Sequence, residues 1–164
     1  MKPTLLFLAL LSTLAPAAPP KTPPKTPPKA PVPAPAPAGE LDAAVRARIE
    51  AFFTHVASGK IDEGYARLFE GSTLAKEQPA LLPTLVSNTK LMLEKCGPAE
   101  NGAVLQVRSA GRTLKEVTCI LNCRKRPIRW TLYVYFGEGR WQILDTDADL
   151  ELGSFFDSEK AGER

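Results

Sequence analysis

Asp145, His55 and three cysteines, Cys96, Cys119 and Cys123, are the side chains best suited to chemistry in this chain. Asp145 follows Trp141 and Ile143 at a spacing of two, so on a regular strand it shares their face. If that face is the inner one, the carboxylate points into the protein, where an apolar pocket would let it act as general acid or base. The plainer reading is a solvated strand edge, because Asp145, Asp147, Asp149 and Glu151 alternate along one acidic run. That run lacks the glycine and distal glutamate spacing of a calcium loop. His55 is the one histidine, late in a helix and off the centre of its apolar stripe. A catalytic histidine needs a partner that sets its tautomer. No partner can be placed from the sequence, and the position reads as a surface or rim residue.

Cys119 and Cys123 are four apart, on or just past one expected strand. At about 3.3 Å per residue their Cα atoms would lie about 13 Å apart, beyond the reach of a disulfide. A bridge would therefore join Cys96 to Cys119 or to Cys123, leaving the third thiol free or intermolecular. The spacings match no zinc pattern and no histidine lies close in sequence, so neither a metal nor another cofactor is expected.

The elements that carry these residues follow from periodicity. Leu41, Val45, Ile49, Phe52, Phe53 and Val56 recur at helical spacing. Glu40 and Asp42 suit the positive N-terminal end of that helix, and Ser58-Gly59 suits its stop. A second helix is expected over residues 62–70, with Ile61, Tyr65, Leu68 and Phe69 inward. A third is expected from about Leu82, with Leu85, Val86, Thr89, Met92 and Leu93 inward and Pro83 tolerated in the first turn. Gly97-Pro98 ends it. The period then changes to two, and strands are expected at about 103–109, 113–122, 128–136 and 141–147. Helices followed by a strand meander argue for an α+β domain, its helices packed on one face of an antiparallel sheet of about four strands.

A long amphipathic first helix, the Ser58-Gly59-Lys60-Ile61-Asp62-Glu63-Gly64-Tyr65-Ala66 segment opening the second, and a closing Gly139-Arg140-Trp141-Gln142-Ile143-Leu144-Asp145 strand resemble the nuclear transport factor 2-like superfamily over residues 41–150. The resemblance implies a curved sheet wrapped around helices as a cone, with a pocket at its open end. It also implies that Tyr65, Trp130 and Trp141 line that pocket, although buried aromatics at such periods are also ordinary core. Pairing through the sheet, as a homodimer, is a further implication. The superfamily holds ketosteroid-isomerase-like enzymes as well as binders, so the fold leaves function open.

The first 38 residues set a location. Lys2, an apolar run over residues 5–14 and the small pair Ala15/Ala17 are ordered as a secretory signal, with cleavage expected near Ala17. The run is shorter than the roughly 20 apolar residues that span a bilayer. Between Pro16 and Pro37 lie 11 of the 16 prolines. Proline fixes φ and donates no hydrogen bond, so residues 18–38 read as an extended disordered tether reaching roughly 60 Å. Residues 39–152 are then one domain and 153–164 a flexible tail. The whole chain carries 21 Lys and Arg against 18 Asp and Glu, a net +3. Setting aside Lys2, Lys21, Lys25 and Lys29 leaves 17 against 18, or −1, so the excess positive charge belongs to the tether. A near-neutral domain gives no reason to expect nucleic acid as a partner. Arg124, Lys125, Arg126 and Arg129 form a local cluster that reads as a solvated turn.

Three function classes follow. The leading one is an exported, non-catalytic domain of the periplasm or cell exterior, binding a small apolar ligand or an envelope protein. The second is a ketosteroid-isomerase-like enzyme with Asp145 as base and Tyr65 or His55 assisting. The third is a structural envelope module whose tether lysines contact anionic envelope polymer.

Overall fold

The structure, a computed structural model, describes residues 40–156. The expected signal segment, the expected tether with Lys21, Lys25 and Lys29, and residues 157–164 lie outside the described residues. The described chain is α+β: α1 (Ala43–Ala57), α2 (Ile61–Leu68), α3 (Leu74–Glu77), α4 (Leu81–Cys96), then β1 (Ala99–Ala110), β2 (Leu114–Cys123), β3 (Ile128–Gly137) and β4 (Arg140–Asp149). No described helix is long and apolar enough to cross a membrane.

Asp42 starts α1 by accepting from the backbone N–H groups of Ala44 and Val45 at 2.9 and 3.2 Å, which satisfies two donors that the first helical turn leaves open. Val45, Ile49, Phe52, Phe53 and Val56 form its buried stripe. In α2, Gly64 lies where an added Cβ would stand 3.2 Å from His55 Cβ and 3.3 Å from the Phe52 ring. The missing side chain lets the two helices approach closely and offsets the roughly 1 kcal/mol that glycine costs inside a helix. α3 is an element that periodicity could not announce, because one turn of four residues has no repeat. Pro83 sits in the first turn of α4, and Gly97, at φ +83°, turns the chain from α4 toward β1.

The four strands form one antiparallel sheet in the order β1-β2-β3-β4, with the helices packed on one face, an arrangement compatible with a cone. Val117, Cys119 and Leu121 of β2 and Ile128, Trp130, Leu132 and Val134 of β3 face that side and are buried. The aromatic centre joins helix to sheet: Phe52 lies 5.1 Å from Phe53 and 5.5 Å from Trp130, ring centre to ring centre. Strand β1 begins earlier than expected, at Ala99, because Ala99 and Asn101 pair with β2 across a register shift at Glu100, where no alternation of hydropathy marks the strand.

One register change corrects the sequence reading of β4. Tyr133 pairs with Asp145, yet the next residue, Val134, pairs with Ile143, so Leu144 is an extra residue in the ladder. A bulge of this kind reverses the alternation beyond it. Trp141 and Ile143 are buried, but Asp145 is exposed and Thr146 takes the inward position instead. Asp145 does not share their face. Residues 153–156, expected within a flexible tail, hold a 3-10 turn (Gly153–Phe155) anchored by Ser154, whose hydroxyl donates to Asp149 and whose carbonyl accepts from Arg129.

Candidate functional site

A cavity of about 320 Å³ opens between α2, α4 and the far ends of β3 and β4. Its size is at the lower end of the range for ligand pockets, about 300 to 1,000 Å³. Tyr65 reaches it from α2 and Trp130 from β3. Leu85, Thr89 and Met92 come from one side of α4, at the spacing of four and three that aligns residues along a helix. Thr146 and Ala148 come from β4, and Asn88, Leu91 and Asp147 stand at the exposed rim.

Two polar pairs organise the interior. The Tyr65 hydroxyl and Thr89 Oγ1 lie 2.9 Å apart, and Thr89 also donates to the carbonyl of Leu85 in the preceding turn. With the threonine proton committed to Leu85, Tyr65 is the donor between the two hydroxyls, and its oxygen keeps acceptor capacity. Burial pushes the Tyr65 hydroxyl up to about 12, an effect that the Thr89 hydrogen bond partly offsets, so it is a neutral phenol at any physiological pH. The second pair is Trp130 Nε1, which donates to Thr146 Oγ1 at 2.9 Å. An indole N–H can only donate, so Thr146 uses a lone pair there and keeps its own hydroxyl proton to offer. The cavity thus presents apolar walls, one hydroxyl donor and one hydroxyl acceptor.

The expected site residues divide around this cavity. Tyr65 and Trp130 meet in it. Trp141 does not: it lies at the opposite end of the strand pair, packed 5.2 Å from Phe136 with the Lys115 ammonium 5.3 Å above its ring. Lys115 is buried there and donates to the Glu40 carbonyl. Burial lowers its pKa, and the Glu40 and Asp42 carboxylates act in the opposite direction. Asp145 is exposed, and its carboxylate accepts from the backbone N–H of Thr146 at 2.8 Å. His55 is partly exposed beside Glu63, Nδ1 to carboxylate oxygen 3.8 Å, on the surface where α1 meets α2. Neither Asp145 nor His55 lines the cavity.

Strict alternation assigns Asp145 rather than Thr146 to the inner face, so the sequence alone does not point to Thr146 as a cavity-lining residue. Helical spacing places Thr89 inward, but its hydroxyl partner Tyr65 is 24 residues away and no local pattern joins them. Cys96, Cys119 and Cys123 are buried free thiols. Burial pushes Cys119 up to about 12, against the nearby charge of Arg46, so it is an unreactive thiol rather than a nucleophile. Among the described residues no three His, Cys, Asp or Glu side chains form a group that could hold a metal ion. Comparison of the chain with models of known protein families, with curated proteins and with solved structures finds no match.

Proposed function

We propose that this chain is an exported, non-catalytic binding domain of nuclear transport factor 2-like type, whose cavity holds a small, mostly apolar molecule bearing one hydrogen-bonding group. The observation that carries the reading is the cavity between Tyr65 and Trp130, with Thr146 and Tyr65 able to serve one polar group inside apolar walls. Binding is favoured over acid–base chemistry because the interior polar atoms are neutral hydroxyls and an indole, while the rim carboxylate of Asp147 is exposed. Export is supported by the order of Lys2, the apolar run and Ala15/Ala17, and the proline-rich residues 18–38 suit a spacer carrying the chain's excess positive charge.

Native mass spectrometry of the full chain, purified from its own envelope fraction, tests the reading. A noncovalent adduct is expected in the wild type and is expected to vanish in Leu85→Trp, which fills the cavity. A folded wild type that carries no adduct and binds no fatty acid, sterol or aromatic probe would sink it.

A second reading has its own observation. Tyr133 and Tyr135 lie exposed on the outward face of β3, opposite the buried residues. That face suits contact with an envelope protein or a second copy, and light scattering across protein concentration would reveal the second copy.

A further inference from the structure

The end of α4 and the end of β2 are tied together by main-chain hydrogen bonds. Cys96 is the last residue of α4, and Gly97 at φ +83° turns the chain into β1, whose first residue, Ala99, lies opposite Cys123. Two further bonds continue this pairing past the strand ends: Arg124 N–H to the Pro98 carbonyl at 3.0 Å, and Lys125 N–H to the Cys96 carbonyl at 2.9 Å. Cys96 is therefore held beside the residue two beyond Cys123. Both side chains turn to the core, Cys96 fully buried and Cys123 9% exposed. Cys119 is excluded as a partner for Cys96. It pairs with Val104 and Trp130 deep in the sheet, six residues before the Lys125 that holds Cys96, well beyond the ~7 Å Cα separation that a disulfide spans.

We infer that Cys96 and Cys123 are a disulfide pair, closed when the chain meets an external disulfide, and that Cys119 stays a free thiol. The step is thiol–disulfide exchange. One cysteine thiolate attacks a sulfur of the external disulfide, forming a mixed disulfide and expelling one thiolate. The second cysteine thiolate attacks the protein sulfur of that mixed disulfide, closing the Sγ–Sγ bond and expelling the other. The protein loses two electrons and two protons, and the external disulfide becomes two thiols. The bridge would staple the C-terminal end of α4 to the sheet across the whole β1–β2 hairpin. Burial pushes the Cys123 thiol up to about 11, with the neighbouring Cys96 and Glu100 charges adding to it. Closure in the folded protein is therefore slow, and closure during folding fast.

Refolding the full chain from denaturant in oxidised and reduced glutathione tests the pairing. Trypsin places Cys96 on peptide 96–108 and both other cysteines on peptide 116–124, so the assignment uses variants. The cross-linked pair of peptides is expected in the wild type and in Cys119→Ala, and lost in Cys96→Ala and Cys123→Ala. Oxidation is expected to raise Tm by on the order of 10 °C in the wild type and in Cys119→Ala alike. The inference is overturned by a wild type that folds by circular dichroism without any cross-link. It is equally overturned by a cross-link that survives in Cys123→Ala and disappears in Cys119→Ala.

Discussion

Trp130 and Thr146 are joined diagonally across the β3–β4 pair. Trp130 stands opposite Ala148, and Thr146 opposite Leu132, yet the indole N–H of Trp130 donates to Thr146 Oγ1 at 2.9 Å. The extra residue Leu144 makes this bond available by turning Thr146, rather than Asp145, toward the core. One bulge thus both removes a carboxylate from the interior and supplies the hydroxyl that a buried tryptophan needs.

Thr146→Val keeps the shape and leaves the indole N–H buried without an acceptor. It is expected to cost about 1–3 kcal/mol, read as a lower urea midpoint with an unchanged slope. Thr146→Ser, which retains the oxygen, should recover most of that loss. Equal losses in both would show that packing, not the hydrogen bond, holds Trp130.

Gly102 is where α1 crosses β1. A Cβ there would fall 2.3 Å from Cγ and 2.7 Å from Cβ of the buried Phe53, so Gly102→Ala forces the ring or the strand to move. The expected cost is about 3 kcal/mol. Phe53→Leu vacates part of the ring volume, so Gly102→Ala should cost less in that background. A double-mutant cycle with no coupling would place the clash elsewhere.

The legibility of this fold in its sequence follows the strength of its repeats. Val45 to Val56 at helical spacing and Ile128 to Val134 at spacing two announce α1 and β3, because each repeat runs long enough to mark one face. The same logic failed at Asp145, since a bulge inserts one residue and alternation carries no memory of it. Of the three aromatics expected together, Tyr65 and Trp130 line the cavity, whereas Trp141, equally aromatic, lies at the far end of its strand. Composition cannot separate them. Which end of β4 meets α4 is a matter of topology, and the hydroxyl pair Tyr65–Thr89 exists only once α2 and α4 lie side by side.

The β3–β4 turn carries a local conflict. Glu138 and Gly139 have φ of 54° and 77°, the two positive values of the hairpin turn whose twist matches its strands. Glutamate is poorly suited to the first position, since its Cβ crowds the following carbonyl. Glu138→Asn is expected to raise stability by about 1 kcal/mol. The exposed 3.7 Å contact of Glu138 with Arg140 is a small loss against that gain. A thermal melt shifted downward would mean that the turn is held by that ion pair instead.

Alkali should unfold this protein in a way that reports on its buried hydroxyl and thiol. Tyr65 is raised from 10.0 to about 12 and Cys119 from 9.0 to about 12, both first by burial. A group whose folded pKa is raised holds its proton more tightly in the native state. The stabilisation is complete below the unfolded pKa and is lost as pH rises through the folded one. Stability under reducing conditions should therefore be flat up to about pH 8 and fall from about pH 9 toward 12, by about 1–3 kcal/mol at pH 11 for each of these two groups. Cys123, raised from 9.0 to about 11, adds to the loss. Tyr65→Phe loses the bond to Thr89 and should cost about 1 kcal/mol at pH 7. The same variant removes the tyrosine share of the alkaline loss, so the gap between wild type and Tyr65→Phe should narrow between pH 9 and 11. Urea midpoints measured at each pH give that gap directly, and a gap of constant size across this range would place the Tyr65 hydroxyl in solvent rather than beside Thr89.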